Sequence, residues 1–110
     1  MTRRHRTWGG THARTLTAVV LNRKGTTCHL CGGDGADSAD HDPPRSVLIR
    51  AGVPDPDALR FLFPAHWQPC NNHRKARPLT DELRAECRAL VERAAARAYP
   101  ARSTRFGGAR

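Results

Sequence analysis

Two pairs of metal-type ligands constrain this chain more than any other feature: Cys28-x-x-Cys31 near the first quarter and His66-x-x-x-Cys70 further on. Zinc takes four soft or borderline ligands in a tetrahedron, usually as two close pairs from separated parts of the chain, and these four residues fit that description. The chain also needs such a staple. Only 38% of its 110 residues are hydrophobic, and eight prolines and nine glycines interrupt it throughout, so the apolar core must be small. At this length one domain is expected.

Two other assignments stand beside the zinc site. Cys-x-x-Cys also serves as a redox pair, although the strand-and-helix pattern of a thioredoxin-like fold is missing around it. Cys87 is an alternative fourth ligand in place of His66, but it lies on an apolar helical stripe and reads there as core. No apolar run approaches the roughly 20 residues of a membrane span, and Thr15 to Leu21 is too short and too polar for a signal peptide core. A reducing, cytoplasmic setting is therefore expected, where Cys-x-x-Cys argues for metal over disulfide.

Charge narrows the choice of partner. The formal net charge is +9, from 19 Lys and Arg against 10 Asp and Glu, which favours a polyanion, nucleic acid first. An arginine- and alanine-rich composition would raise the charge without any partner, so charge alone settles nothing.

Along the chain, residues 1–13 read as a basic flexible arm in which only Trp8 has the means to pin itself to the body. From Arg14 to Arg23, Leu16, Val19, Val20 and Leu21 fit one helical face, with a strand as the alternative because of the β-branched residues. Thr26 to Gly33 has the composition of a metal knuckle closed by glycine. Between Asp34 and Asp57 the charge inverts, with six aspartates against Arg45 and Arg50, and clustered carboxylates suggest a cation. The prolines at 43, 44, 54 and 56 favour a short extended piece and then a long loop, with room for one helical turn at Val47 to Ile49. After Thr80 as N-cap, Leu83, Cys87, Leu90, Val91 and Ala94 repeat at helical spacing, so a helix is expected over 80–98. Residues 99–110 read as a basic flexible tail. The domain is thus expected over 14–98, with its zinc-bound core at about 26–78.

The order of the remaining motifs carries more than any one of them. The knuckle is followed by Asp40-His41-Asp42-Pro43-Pro44, then by His66 and Cys70 running directly into Asn71, then by Arg74. This order resembles the HNH endonuclease family. With Trp8-Gly9-Gly10 and Gly25-Thr26-Thr27-Cys28-His29-Leu30-Cys31-Gly32, it looks like the small HNH proteins of actinobacterial phages, a resemblance covering roughly Trp8 to Lys75.

The resemblance implies a small α+β domain of the treble-clef or ββα-metal type, with a structural zinc on Cys28, Cys31, His66 and Cys70. A β-hairpin would present Asp40 and His41, and a following helix Asn71, with a divalent ion (magnesium, manganese or nickel) between Asp40 and Asn71. His41 would be the base for an attacking water, and the products a 5′ phosphate and a 3′ hydroxyl. DNA is the implied partner, with phage terminase or packaging proteins as further partners and a monomer or weak dimer as the working form. Arg74, Lys75 and Arg77 have the charge to meet phosphates, or equally to form a solvated face. Two departures from the pattern stand out. Asp57-Ala58-Leu59 replaces the middle Asn expected before a Leu, leaving His41 to be oriented by a backbone carbonyl or by Asp57, and three residues rather than two separate His66 from Cys70. The alternative is a non-catalytic treble-clef zinc module that binds DNA or a partner protein.

Overall fold

A computed structural model describes residues 5–98. The first four residues of the expected arm and the expected basic tail 99–110 lie outside the described residues.

The first helix, α1, runs Gly10–Lys24, four residues earlier than its apolar pattern indicated. Gly9 and Gly10 read as coil, but tertiary contacts offset their poor helix propensity, as they commonly do in short helices. Trp8 packs against a small core of Val20, Ala39 and Leu62 together with Leu16 and Leu59, and His12 Nε2 lies 2.9 Å from an Asp57 oxygen. The segment expected to be a loose arm is therefore docked from its aromatic residue onward. α1 stops at Gly25, whose φ of 89° suits glycine and whose N–H donates to the Leu21 carbonyl at 3.0 Å.

Strands β1 (Ser38–His41) and β2 (Leu62–Ala65) form a two-stranded antiparallel sheet, with Ser38 opposite Ala65 and His41 opposite Leu62. α1 packs across both strands. Between the strands lies a long excursion. The proline-rich reading allowed it one helical turn, and the structure has a helix, α2, over Arg45–Arg50. It starts directly after Pro44, whose carbonyl accepts from the N–H groups of Val47 and Leu48, and it buries Leu48. A single 3-10 turn, Leu59–Phe61, leads back into β2.

After β2 a helical turn, Trp67–Asn71, passes into the short helix α3 (Asn72–Arg74), and the chain ends in α4, Asp81–Ala98. Thr80 caps α4 as its sequence indicated: its Oγ1 accepts the Leu83 N–H at 3.1 Å, with Asp81 and Glu82 in the first turn. Leu83 and Cys87 face inward and pack with Leu30, Ala36, Ala65, Cys28, Cys31 and Cys70 in the larger of the two cores. The molecule is thus a small α+β unit with two modest cores on either side of a two-stranded sheet. Among the described residues no helix is long and apolar enough to cross a membrane.

Candidate functional site

Cys28, Cys31, His66 and Cys70 converge so that their ligand atoms all lie within 4.8 Å of one another. His66 Nδ1 is 3.4 Å from Cys31 Sγ and 3.6 Å from Cys70 Sγ. Tetrahedral zinc with ordinary bond lengths would separate a thiolate from an imidazole nitrogen by about 3.6 Å, so the cluster could hold a metal ion such as zinc.

Local backbone explains why the sequence folds to this cluster. In the knuckle, Cys28 N–H donates to Gly33 O and Gly32 N–H to Cys28 O, each at 2.8 Å, and Gly32 has a φ of 84° that a side chain rarely tolerates. Backbone amides also point at sulfur, Gly33 N at Cys31 and His66 N at Cys28. His66 Nε2 is 2.7 Å from the Asp34 carbonyl and so carries the proton, which leaves Nδ1 as the ligand atom. The extra residue between His66 and Cys70 is absorbed by a wide turn, closed by an Asn71 N–H to His66 O bond of 2.8 Å. Cys87 is not part of the cluster. Its sulfur donates to the Cys70 carbonyl, and the residue packs as core.

The thiols differ in how their surroundings treat the charged form. Burial pushes the Cys70 thiol far up, and repulsion from Cys28 and Cys31 adds to it. Burial also raises Cys31, while at Cys28 hydrogen bonds from backbone amides outweigh burial and lower it. A central divalent cation is the charge that would let all three ionise together.

A second site lies beside the first. Asp40, His41, Asn71 and Lys75, with Trp8, Arg45 and Trp67, line one cleft of about 250 Å³. Asp40 and His41 are consecutive at the end of β1, and both line the cleft. His41 is buried under the edge of Trp8, ring centroids 4.6 Å apart. Its Nε2 meets Asp57 Oδ1 at 2.7 Å, so Asp57 rather than a backbone carbonyl orients the ring. Arg45 Nε and His12 Nε2 bind the same carboxylate at 2.8 and 2.9 Å. Burial alone would raise the Asp57 carboxyl, but these partners outweigh it and hold the group well below the usual carboxylate range. Burial pushes the His41 imidazole below its usual value against the opposing pull of Asp57, which keeps it neutral and able to accept a proton near pH 7.

Asp40 is also buried. Its Oδ2 accepts from His29 Nε2 at 2.8 Å and from Arg74 Nη1 at 2.6 Å, leaving Oδ1 uncommitted among the described residues. Asn71 Nδ2 donates toward Ser38 Oγ at 3.4 Å, and its side-chain oxygen Oδ1 accepts no hydrogen bond among the described residues. Two oxygens of the kind a hard cation prefers are thus left at the cleft.

Arg74 corrects the sequence reading. Expected to contact phosphate, it is fully buried at 0% exposure. Its guanidinium is taken up by Asp40, by Asp42 at 2.8 Å, and by the carbonyls of His41 and Arg77. Three carboxylates of the acidic stretch are answered by internal arginines. Arg74 takes Asp40 and Asp42, Arg45 takes Asp57, and Asp37 instead accepts the Trp67 N–H. Of the three basic residues, Lys75 lines the cleft, while Arg77 is exposed but bonded to Glu86 and to the His73 carbonyl. His12, His29, Arg45 and Trp67 were not singled out from sequence. Trp67 carried the one available signal, an indole in a chain with 5% aromatic residues.

Comparison of the chain with protein-family models, with curated proteins and with solved structures returned no match.

Proposed function

We propose that this protein is a metal-dependent DNA endonuclease of the HNH type, with a treble-clef or ββα-metal core built on a structural zinc. The observation that carries the reading is the buried His41, fixed by Asp57 in one cleft with Asp40 and Asn71. These are the three residues that the order of motifs singled out.

With Nε2 engaged by Asp57, Nδ1 of His41 is the nitrogen left to take a proton from water. The deprotonated water attacks phosphorus, the bond from phosphorus to the 3′ oxygen breaks, and that oxygen leaves with a proton from solvent. Asp57, Arg45 and Trp8 hold the imidazole in place and shield it from bulk water. Asp40 and Asn71 offer the oxygens for a divalent ion, which when bound offsets charge on the phosphate and on the leaving oxygen. Lys75 stands at the rim to meet a neighbouring phosphate. A link to phage genome packaging rests on the resemblance alone.

The second reading, a zinc module that binds DNA or a partner protein without cutting, is favoured by one observation: Arg74 and His29 already occupy one oxygen of Asp40. Nicking of supercoiled plasmid separates the two. With zinc retained and magnesium, manganese or nickel added in turn, wild type should nick and His41→Ala should not. No nicking by either protein, with DNA still retarded on a gel, would replace the nuclease with the binding module.

A further inference from the structure

Trp67 is the most exposed large hydrophobic residue among those described, with 52% of its surface open. It lines the same cleft as Asp40, His41 and Asn71. No described residue covers the indole, yet its backbone is held in place. Its backbone N–H is held by Asp37 Oδ1 at 2.8 Å, and it opens the turn that Asn71 N–H closes onto His66 O. Two residues of the metal-type cluster, His66 and Cys70, bracket it in the chain. The ring is presented on a platform whose ordering is already complete before any ligand arrives.

At the far end of the same segment, Lys75 has φ 54° and ψ −127°. A side chain seldom adopts this left-handed backbone, and glycine would accept it without strain. Lys75 makes no ion pair among the described residues, and it also lines the cleft. A strained, unpaired lysine and a fixed, solvent-facing indole on one cleft point to a ligand with a flat apolar face and a nearby anionic group.

We infer that the cleft takes single-stranded or locally unpaired DNA, with Trp67 stacking on a base and Lys75 meeting the adjoining phosphate. The inference rests on the nuclease reading of the same cleft and names its substrate class. Duplex DNA hides its base faces in the stack, so an indole at the rim gains nothing from a paired base. A cleft of about 250 Å³ is on the scale of one nucleotide. Stacking tolerates any base, and no residue of the cleft is committed to reading base edges.

The test is fluorescence anisotropy with labelled oligo(dT) and with a hairpin duplex of equal phosphate number. It uses the full zinc-loaded chain without any other divalent ion, so binding is read apart from cleavage. Wild type should favour the single strand, and its tryptophan emission should be quenched by oligo(dT). Trp67→Ala should lose about tenfold or more on the single strand, with about twofold or less on duplex. Trp67→Phe should keep most of the affinity and lose the quenching. Lys75→Gly, which relieves the backbone, should melt no lower than wild type by more than a few degrees and should shallow the salt dependence on the single strand by about 0.7 in slope. Trp67→Ala binding the single strand as wild type does, or losing equally on both probes, would overturn the inference even if plasmid is nicked. The expected pattern in a chain that cuts neither plasmid nor the single strand once magnesium, manganese or nickel is added would sink the nuclease and leave this site standing.

Discussion

Around Cys28, Cys31, His66 and Cys70 the chain brings together groups whose charged forms repel one another, whereas around Asp40 and Asp57 it brings together charges that already answer one another. In the first region burial and neighbouring thiols raise Cys31 and Cys70, and a bound cation would let these thiols ionise together. In the second, Arg74 and Arg45 neutralise the two buried aspartates from within, and no buried polar side-chain atom among the described residues lacks a partner. One half of the molecule gathers groups that could hold a metal ion, and the other is held by its own ion pairs. The cleft lies where they meet, on the turn that carries His66, Trp67, Cys70 and Asn71.

The sharpest way to break that contrast is to remove the metal. With a core of this size, a strong chelator should unfold the chain cooperatively, with loss of helical circular dichroism, and added zinc should restore it. Helix content and a melting transition unchanged by chelation would mean that the ion pairs alone hold the fold.

The next largest effect should come from Arg74→Met. It leaves Asp40 buried with half its partners gone, and breaking a buried pair this way costs about 3–5 kcal/mol. Urea unfolding of the zinc-loaded protein measures it. Arg74→Lys should recover little, because an ammonium cannot span both Asp40 and Asp42 as the planar guanidinium does. A loss below about 1 kcal/mol would return Arg74 to the surface role its sequence position suggested.

Asp57→Asn should cost less, about 2 kcal/mol, since four charge-assisted hydrogen bonds weaken without leaving a cavity. Its pH signature follows from the sign of the shift. The folded carboxyl lies below its unfolded value of 3.8, so its contribution is complete above that value and fades as pH falls through the folded one. Acid also unloads a thiolate site, so the informative quantity is the difference in stability between the two proteins. That difference should be constant near neutral pH and shrink toward zero below about pH 4. A difference that grows in acid would contradict the role given to Asp57.

The same contrast explains what could be read from the sequence. Ligand pairs announce themselves by local spacing, so the cluster was legible down to its four residues, and the accompanying choice between His66 and Cys87 turned on whether Cys87 lay on an apolar stripe, which it does. α4 was legible because Thr80, the acidic first turn and the apolar repeat all agree. The ion-pair half was poorly legible, because its partners are distant in sequence. Arg74 reaches back to Asp40 and Asp42, and Asp57 gathers residues from α1, β1 and α2. A run such as Arg74-Lys75-Ala76-Arg77 gives no sign of which member turns inward. Of the possible holders of His41, Asp57 was one of two open to the sequence, and distance alone decided between them. The docking of Trp8 and the early start of α1 depended on the same long-range contacts.

The thiol-rich half could hold a metal ion such as zinc, and whether it does is directly measurable. Zinc content per chain should be measured by mass spectrometry on purified wild type, Cys70→Ser and Cys87→Ser. One zinc per chain in wild type and Cys87→Ser, with loss in Cys70→Ser, is the predicted result. Wild type without zinc, or zinc kept by Cys70→Ser and lost by Cys87→Ser, would contradict it.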